Sequence, residues 1–495
     1  MTFLCASLTP HSSNEATEQL AKVAPLVDLA EVRTDYMAEC DLKRLLHGRP
    51  CPVIITNRPE RQGGRCAASE AERVARLNEA VRLGADYVDI ELDAVSMLAD
   101  RSGSRTRMIV SHHDFSKTPA DLAGILRDIA ATGADVAKIA VMATDIVDNV
   151  AVLGLLRQPS CPTIAIAMGE KGLVSRVLAP KFEGYLTFAA LDPDEDTPPA
   201  GPGQLSVSTM RHLYRFGHIG PETACYGVVG NPVGHSMSPA IHNAAFAECG
   251  IDAVYLPLLV ECDPAVFIRA FRDLDFSGYS VTIPHKQTSM PALDEIEPVA
   301  RRIGAINTVV RRSGGVLFGT NTDWTAGMAS IVASLPDPDW LRGKRAMLLG
   351  SGGLGRAMAF GLREYGADVT ITDIDPIRAE TLARDVGVAA IRIEQIEEQK
   401  PDVILNCSPV GMHPKTDASP VPESMLREGL VVYDAVYNPI ETLLVRQAKA
   451  AGAITVSGID HFVGQAVEQF QLWTGRDAPV DLMRQVCLDA LTAKK

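Results

Sequence analysis

What the sequence is short of narrows the field first. No run of Lys or Arg forms a basic stripe, and 61 acidic residues against 47 basic ones leave a formal net charge of −14. Such a field disfavours nucleic acid and anionic membrane surfaces, so neither is expected as a partner. No apolar stretch reaches the roughly 18 residues that a membrane-spanning helix needs. The opening residues, MTFLCASLTPHSS, carry neither a basic leader nor a long apolar segment, which argues against secretion. The ten cysteines are scattered without a C-x-x-C pair, most of them in apolar stretches. They read as reduced, buried thiols of a cytoplasmic protein, and no structural metal site is expected. No internal repeat or low-complexity segment interrupts the 495 residues.

What is present suits an α/β enzyme of about three domains, with 46% hydrophobic residues to fill its cores. The first 210 residues hold eight short β-rich runs. FLCASLT begins at residue 3, followed by VDLAEVRTD (27–35), PVIITNR (52–58) and YVDIELD (87–93). RMIVSHHDF (107–115), DVAKIAVM (135–142), TIAIAMG (163–169) and GYLTFAAL (184–191) complete the set. Helix-like segments such as EAERVARLNEAVRLGA separate most of them. The alternation predicts a (β/α)8 TIM barrel, with an open doubly wound sheet as the alternative. Glu31, Arg33, Arg58, His113 and Lys138 lie in the second to sixth runs, Arg176 follows the seventh and Gln204 the eighth. In a barrel these polar groups converge at the mouth, where such folds build their sites. The Pro-, Gly- and acid-rich segment 192–204 reads as a lid, and GHIGPETA (217–224) as a linker.

Lys138 stands among Val136, Ala137, Ile139 and Val141. Burial in apolar surroundings depresses a lysine pKa and frees the amine to attack a ketone as a Schiff-base nucleophile. The plain alternative is a lysine that snorkels to solvent. His113 ends the preceding run and offers a proton carrier beside that amine. His112 faces the other way by strand alternation and reads as structural.

The second half begins as mixed α/β. AMLLGSGGLGRAMAFGLREYGADVTITDID (346–375) then reads strand, turn, helix, strand. Gly350, Gly352 and Gly355, with Gly353 between them, form G-x-G-x-x-G in the context of a Rossmann dinucleotide site. Asp373, eighteen residues past Gly355, stands where an acid pairs with ribose hydroxyls, which favours NAD over NADP. Upstream, Ser236 and Ser238 either meet one carboxylate together or cap a helix. Lys286 and Asp323 form either a proton relay beside a ketone or an ordinary salt bridge.

EVRTD, TNR, SHHDF, AKIAV, GLVSR and GPGQLS, in that order, resemble type I 3-dehydroquinate dehydratase. The resemblance implies that Lys138 condenses with the substrate 3-carbonyl and that His113 moves the protons of a syn elimination. It also implies that Arg176 binds the carboxylate, while Glu31, Arg33, Arg58 and Gln204 hold hydroxyls or order the site. Two positions depart from the family pattern: Gln62 replaces an acid that would orient and charge the histidine, and Ala200 replaces a lid serine. From about residue 225, GNPVGHSMSPAIHN, GYSVTIPHK, GAINTV, GTNTDW, NCSPVGMHP and GIDHFVGQAVEQFQLWTG resemble shikimate dehydrogenase. That resemblance makes Lys286 and Asp323 the catalytic pair. Ser236, Ser238, Thr282, Asn307 and Gln465 become substrate ligands, and Tyr437 lies near nicotinamide and substrate. The family's usual N-R-T after the second nucleotide strand favours NADP, whereas this chain has Asp373-Ile374-Asp375, so the cofactor is NAD or NADP with the residues favouring NAD.

The expected organisation is a barrel over 1–216, a substrate lobe over 225–325 completed by about 461–495, and a Rossmann domain over 326–460. The expected partners are 3-dehydroquinate, 3-dehydroshikimate and shikimate. Two rival readings remain: a catabolic quinate/shikimate dehydrogenase fused to a dehydratase, and a metabolite sensor built on inert domains. The sensor predicts lost nucleophiles and relays, yet Lys138, His113, Lys286 and Asp323 are all present.

Overall fold

Each of the eight β-rich runs contains one strand: β1 (Phe3–Leu8), β2 (Leu29–Arg33), β3 (Val53–Thr56), β4 (Tyr87–Glu91), β5 (Arg107–Asp114), β6 (Val136–Met142), β7 (Thr163–Met168) and β8 (Leu186–Ala190). The computed structural model describes residues 1–99, 101, 103–157, 159–192 and 200–492; most of the expected lid lies outside the described residues. The strands pair in parallel in the order β7-β6-β5-β4-β3-β2-β1-β8, and the Tyr185 amide donates to the Thr163 carbonyl across the remaining gap at 2.8 Å. The sheet is therefore a nearly closed (β/α)8 barrel. Closure gives each strand an inner face, and alternate residues fill it: Cys5, Leu29, Ile54, Ile109, Val136, Ile164 and Phe188 pack there. The outer face of the strands packs against the helices, and the same apolar cluster continues into the next sheet through Cys225, Val229 and Phe271.

The second sheet comprises β9 (Ala224–Gly230), β10 (Ala253–Leu259), β11 (Phe276–Val281), β12 (Glu295–Ile296), β13 (Thr308–Arg311) and β14 (Leu317–Thr320). Its order is β10-β9-β11-β13-β14-β12, with β13 antiparallel to both neighbours. The third sheet comprises β15 (Arg345–Leu349), β16 (Asp368–Thr372), β17 (Ala389–Ala390), β18 (Val403–Asn406), β19 (Val431–Asp434) and β20 (Ile454–Val456). Its all-parallel order, β17-β16-β15-β18-β19-β20, is the doubly wound arrangement of a Rossmann fold, whose ligand crevice lies between β15 and β18. The long helix Gly458–Thr474 then returns to the second sheet, where Trp473 Nε1 donates to the Val309 carbonyl at 3.0 Å.

The segment after the barrel is bolted rather than free. Lys181 Nζ donates to the carbonyls of Pro221 and Thr223 at 3.0 Å each, and Lys171 pairs with Glu261 at 2.7 Å. No helix among the described residues is long and apolar enough to cross a membrane.

A buried ion network braces the barrel wall. Arg73, on the helix Glu70–Arg82, is 1% exposed. It reaches Glu91 at 2.6 Å and donates to the Asn57 carbonyl at 2.9 Å. Arg73→Ala leaves Glu91 buried with one partner fewer and is expected to cost about 3–5 kcal/mol. The measurement is the urea midpoint of the barrel's unfolding transition; an unchanged midpoint would show that the network adds no stability.

Candidate active sites

At the barrel mouth the sequence places Lys138 in β6 opposite Ser111 of β5. The side chain is buried, as expected, but its surroundings correct the sequence picture. Ala137, Ile139 and Val141 pack on the outer face and Val136 on the inner one, while the amine meets acids. Its Nζ donates to Asp89 at 2.8 Å, lies 3.6 Å from Glu31, and sits 4.2 Å from the centroid of the Phe188 ring. Asp89 also holds Arg58 at 2.8 Å and accepts from Ser111 Oγ at 2.6 Å. Burial acts to raise the Asp89 pKa, but Arg58 and Lys138 outweigh it and hold the carboxyl well below its usual range. Arg58 spends its other nitrogen on Glu91, at 2.5 Å. Glu31 accepts from Ser7 and Thr56, at 2.5 and 2.8 Å, and stays ionised against burial through Lys138 and Arg33. Arg33 is clamped by both oxygens of Asp35, at 2.8 and 2.7 Å.

His113 stacks beside Phe115, and its Nδ1 lies 3.2 Å from the Gln62 side-chain oxygen. With the Nδ1 proton directed at that amide oxygen, Nε2 is left as the free base. Burial, then the charges of Arg58 and Lys138, hold the imidazole well below its ordinary pKa. Gln62 thus orients the ring and supplies no charge.

Arg176 differs from the other arginines at this mouth. It is 2% exposed, its Nη2 donates to the Pro202 carbonyl at 2.8 Å, and its Nε has no partner. Among the described residues no carboxylate faces it, and burial pulls its guanidinium down to about 10. The Gln204 side-chain oxygen is likewise buried and unpartnered. Both atoms are poised for a polar group that enters from outside.

The second constellation lies between the other two sheets. Lys286 Nζ donates to Asp323 Oδ2 at 2.6 Å, and Asn307 Nδ2 donates to Oδ1 at 2.8 Å. Burial acts to raise Asp323, but Lys286 above all keeps it ionised and lowered. The Ser236 loop lies alongside, since the Asn231 amide donates to the Ile283 carbonyl at 3.0 Å and a Cβ on Gly230 would press 2.5 Å from Thr282 Cγ2. Ser236 Oγ accepts from the Ser238 amide at 3.2 Å, so part of its bonding goes to the start of the helix Ser238–Glu248. The Gln465 amide donates to the Phe462 carbonyl in its own helix, at 2.8 Å, and Tyr437 stacks on Phe462 with centroids 4.5 Å apart.

The glycine-rich turn faces this cluster. Gly350 takes φ +100° at the end of β15, and Gly352 precedes the helix Gly353–Glu364. A Cβ on Gly355 would lie 2.0 Å from the Gly350 carbonyl oxygen, so only glycine allows the helix to start so close to the strand. A Cβ on Gly353 would lie 2.8 Å from Lys286 Cδ: the turn touches the lysine of the neighbouring lobe. Asp373 accepts from the Ser351 amide and hydroxyl, at 2.7 and 2.6 Å, and from the Asp375 amide at 3.0 Å. Burial opposes its ionisation, and these bonds lower its pKa nonetheless. The turn, the helix start and the acid fit a nicotinamide dinucleotide. Among the described residues no group of three His, Cys, Asp or Glu could hold a metal ion.

Family models for type I 3-dehydroquinase, the shikimate dehydrogenase substrate binding domain and the shikimate 5'-dehydrogenase C-terminal domain match residues 4–221, 228–309 and 458–488. The bifunctional 3-dehydroquinate dehydratase/shikimate dehydrogenase of Arabidopsis thaliana, a chloroplastic protein, is 38% identical over 98% of this chain and 84% of its own. The chain belongs to this bifunctional family. Its second half is also similar to solved dehydrogenases. A shikimate dehydrogenase in complex with NADP+ is 32% identical, at a TM-score of 0.51, over 55% of this chain and 96% of that one. A quinate dehydrogenase from Corynebacterium glutamicum in complex with NAD is 31% identical, at 0.51, over 54% and 99%.

Sequence reasoning missed Asp89, Glu91 and Arg73 behind Lys138, and His461 beside Asp323. The alternation in YVDIELD carries the signal for the first two, because inward residues 89 and 91 of a closed barrel have no water to face.

Three imidazoles, His242 and His461 buried and His113 half-buried, set an acid limit. Burial holds His113 well below its ordinary pKa, His242 at about 3 and His461 at about 4. The unfolded chain takes up these protons near pH 6.5, whereas the folded chain refuses them, so stability falls as pH drops below about 6.5. For the C-terminal half, His242 and His461 together give a slope of at most about 2.7 kcal/mol per pH unit, reached near pH 5. His242→Phe is expected to halve that slope in urea midpoints measured around that pH.

Proposed function

We propose that the chain dehydrates 3-dehydroquinate at the barrel mouth and reduces the resulting 3-dehydroshikimate to shikimate between the other two sheets. The observation that carries this reading is the pair of lysines, Lys138 buried and Lys286 half-buried, each set on a carboxylate. Membership of the bifunctional family supports both steps.

In the first step the Lys138 amine attacks the ketone carbon, and loss of water leaves an imine. The protonated imine draws electrons and acidifies the adjacent C–H. His113 Nε2 takes that proton and returns one to the departing C1 hydroxyl, so water leaves and the ring gains its double bond. Hydrolysis of the imine frees Lys138. Asp89 accepts the amine's hydrogen bond between turnovers, and Glu31 and Arg58 fix its position. Arg176, which no carboxylate among the described residues faces, takes the substrate carboxylate in a two-pronged pair. Gln204 offers its unpartnered oxygen to a hydroxyl.

In the second step the serine loop, Thr282 and Asn307 orient the ring beside Lys286. A bound nicotinamide dinucleotide supplies hydride. Lys286 gives a proton to the carbonyl oxygen as it becomes a hydroxyl, and Asp323 holds the lysine in line and offsets its charge. Gly350, Gly352, Gly353 and Gly355 form the turn for the dinucleotide phosphates, and Asp373 takes the adenosine ribose. Gln465 and Tyr437 line the remaining side. We assign units at 1–216, 225–325 with 461–495, and 326–460, and a reducing cytoplasmic location consistent with ten free thiols.

An acid at 373 also favours a second reading, oxidation of quinate or shikimate with NAD. Asp373 stays ionised and would oppose a 2′-phosphate, so NAD is expected to exceed NADP at least about tenfold in kcat/KM. Asp373→Asn should narrow the gap; a strong NADP preference in the unaltered chain would overturn the assignment.

Borohydride added during turnover of 3-dehydroquinate should reduce the imine and fix the ring on Lys138, read as a mass increase on the peptide that contains it. Lys138→Met is expected to abolish both the adduct and at least about 10³-fold of the dehydration rate. Full dehydration by that variant would refute the covalent route.

A further inference from the structure

His461 lies on the helix Gly458–Thr474, 5% exposed, with Nε2 3.8 Å from Asp323 Oδ1. Among the described residues that nitrogen has no hydrogen-bond partner, although it is buried and lies near both the backbone and the carboxylate of Asp323, which holds Lys286. Its other nitrogen, Nδ1, is bonded to the hydroxyl of Tyr433 on β19. Among the described residues this hydroxyl has no other partner, so the arrangement that satisfies both groups has Tyr433 donating to Nδ1. The imidazole proton then resides on Nε2 and faces Asp323. The opposite tautomer would aim a lone pair at a carboxylate and strand the tyrosine proton.

We propose that His461 is a positioning residue of the dehydrogenase, a neutral imidazole whose Nε2–H secures Asp323 as the ionised partner of Lys286. The proposal rests on the dehydrogenase reading above. Asp323 Oδ2 serves Lys286, and Oδ1 has one lone pair for Asn307 and one for His461. At 3.8 Å the approach is beyond hydrogen-bond range, and such contacts tighten when ligand fills the site. Tyr433 belongs to the nucleotide sheet and Asp323 to the substrate lobe, so the ring also sets the carboxylate against both walls of the cleft.

The ionisable surroundings favour the neutral form. Lys286 opposes a second positive charge nearby, and Asp323 favours one; burial decides, and the ring stays neutral above about pH 4. Tyr433 is driven well above its ordinary pKa by burial, then by Cys407, Asp323 and Asp434, so it keeps its proton to donate. Glu468, on the same helix, is raised by burial and accepts from Thr325 Oγ1 at 2.5 Å.

The test uses the full chain and measures 3-dehydroshikimate reduction from pH 3 to 10, with circular dichroism at each pH to mark where the chain remains folded. A donor to the charged form lowers a carboxylate pKa, so His461→Leu should raise the acid limb of kcat by about half to one pH unit. It should also lower kcat about tenfold with little change in KM. His461→Gln, whose amide can donate to the same oxygen, should restore the limb and most of the rate. Tyr433→Phe, which releases the tautomer, should move the limb in the same direction by less. A His461→Leu profile equal to that of the unaltered chain overturns the proposal. So does equal impairment of the Leu and Gln variants with the limb unmoved, which marks a packing role. An unaltered chain that reduces no 3-dehydroshikimate refutes the dehydrogenase reading instead.

Discussion

A cation withdrawn from water must find an anion inside the fold, and this requirement organises both sites. Lys138, Arg58 and Arg73 are linked through Asp89 and Glu91 into one buried chain of alternating charge. Lys286 rests on Asp323 in the same manner. Such pairs add little net stability over well-packed apolar groups, but breaking one leaves a stranded charge. Their value here lies in geometry. Each amine is held at one place by a carboxylate that the surrounding guanidinium or amide groups keep ionised.

The residues most visible in the sequence were those that violated a local pattern. Lys138 interrupts an apolar run, His113 sits near the end of a strand just before a turn, and the glycines of 350–355 recur where a helix should have begun. Asp89 and Glu91 escaped notice because they obey a pattern: YVDIELD alternates as any half-exposed strand does. Only barrel closure turns that polar face into an interior. His461 was hidden for a similar reason, since a polar residue in the first turn of a helix needs no explanation until a strand from another sheet is found against it. The surroundings of Lys138 were misread from the same limitation. Neighbours along a strand are not neighbours across a barrel, and the acid nearest the amine comes from β4, 49 residues earlier.

The lobe behind Lys286 is completed by chain that follows the nucleotide sheet. Gln469 donates to Thr308 at 3.1 Å, and Trp473 bonds to Val309, so the helix Gly458–Thr474 spans from the substrate sheet to Tyr433. The Gly353–Lys286 approach joins the same two walls from the other side. The cluster around Asp323 is thus built from three stretches far apart in sequence, each of which contributes a group that means little alone. Spacing motifs could locate Lys286 and Asp323, but the third contact depends on how the helix returns.

Arg176 carries a consequence of a different kind. A guanidinium shut away from water, with no carboxylate among the described residues to face it, suits small oxyanions. Phosphate and sulfate present the paired oxygens and the charge it lacks, and they can enter before the organic acid does. A phosphate or sulfate buffer would then act on the lyase half as a competing reagent as well as a medium.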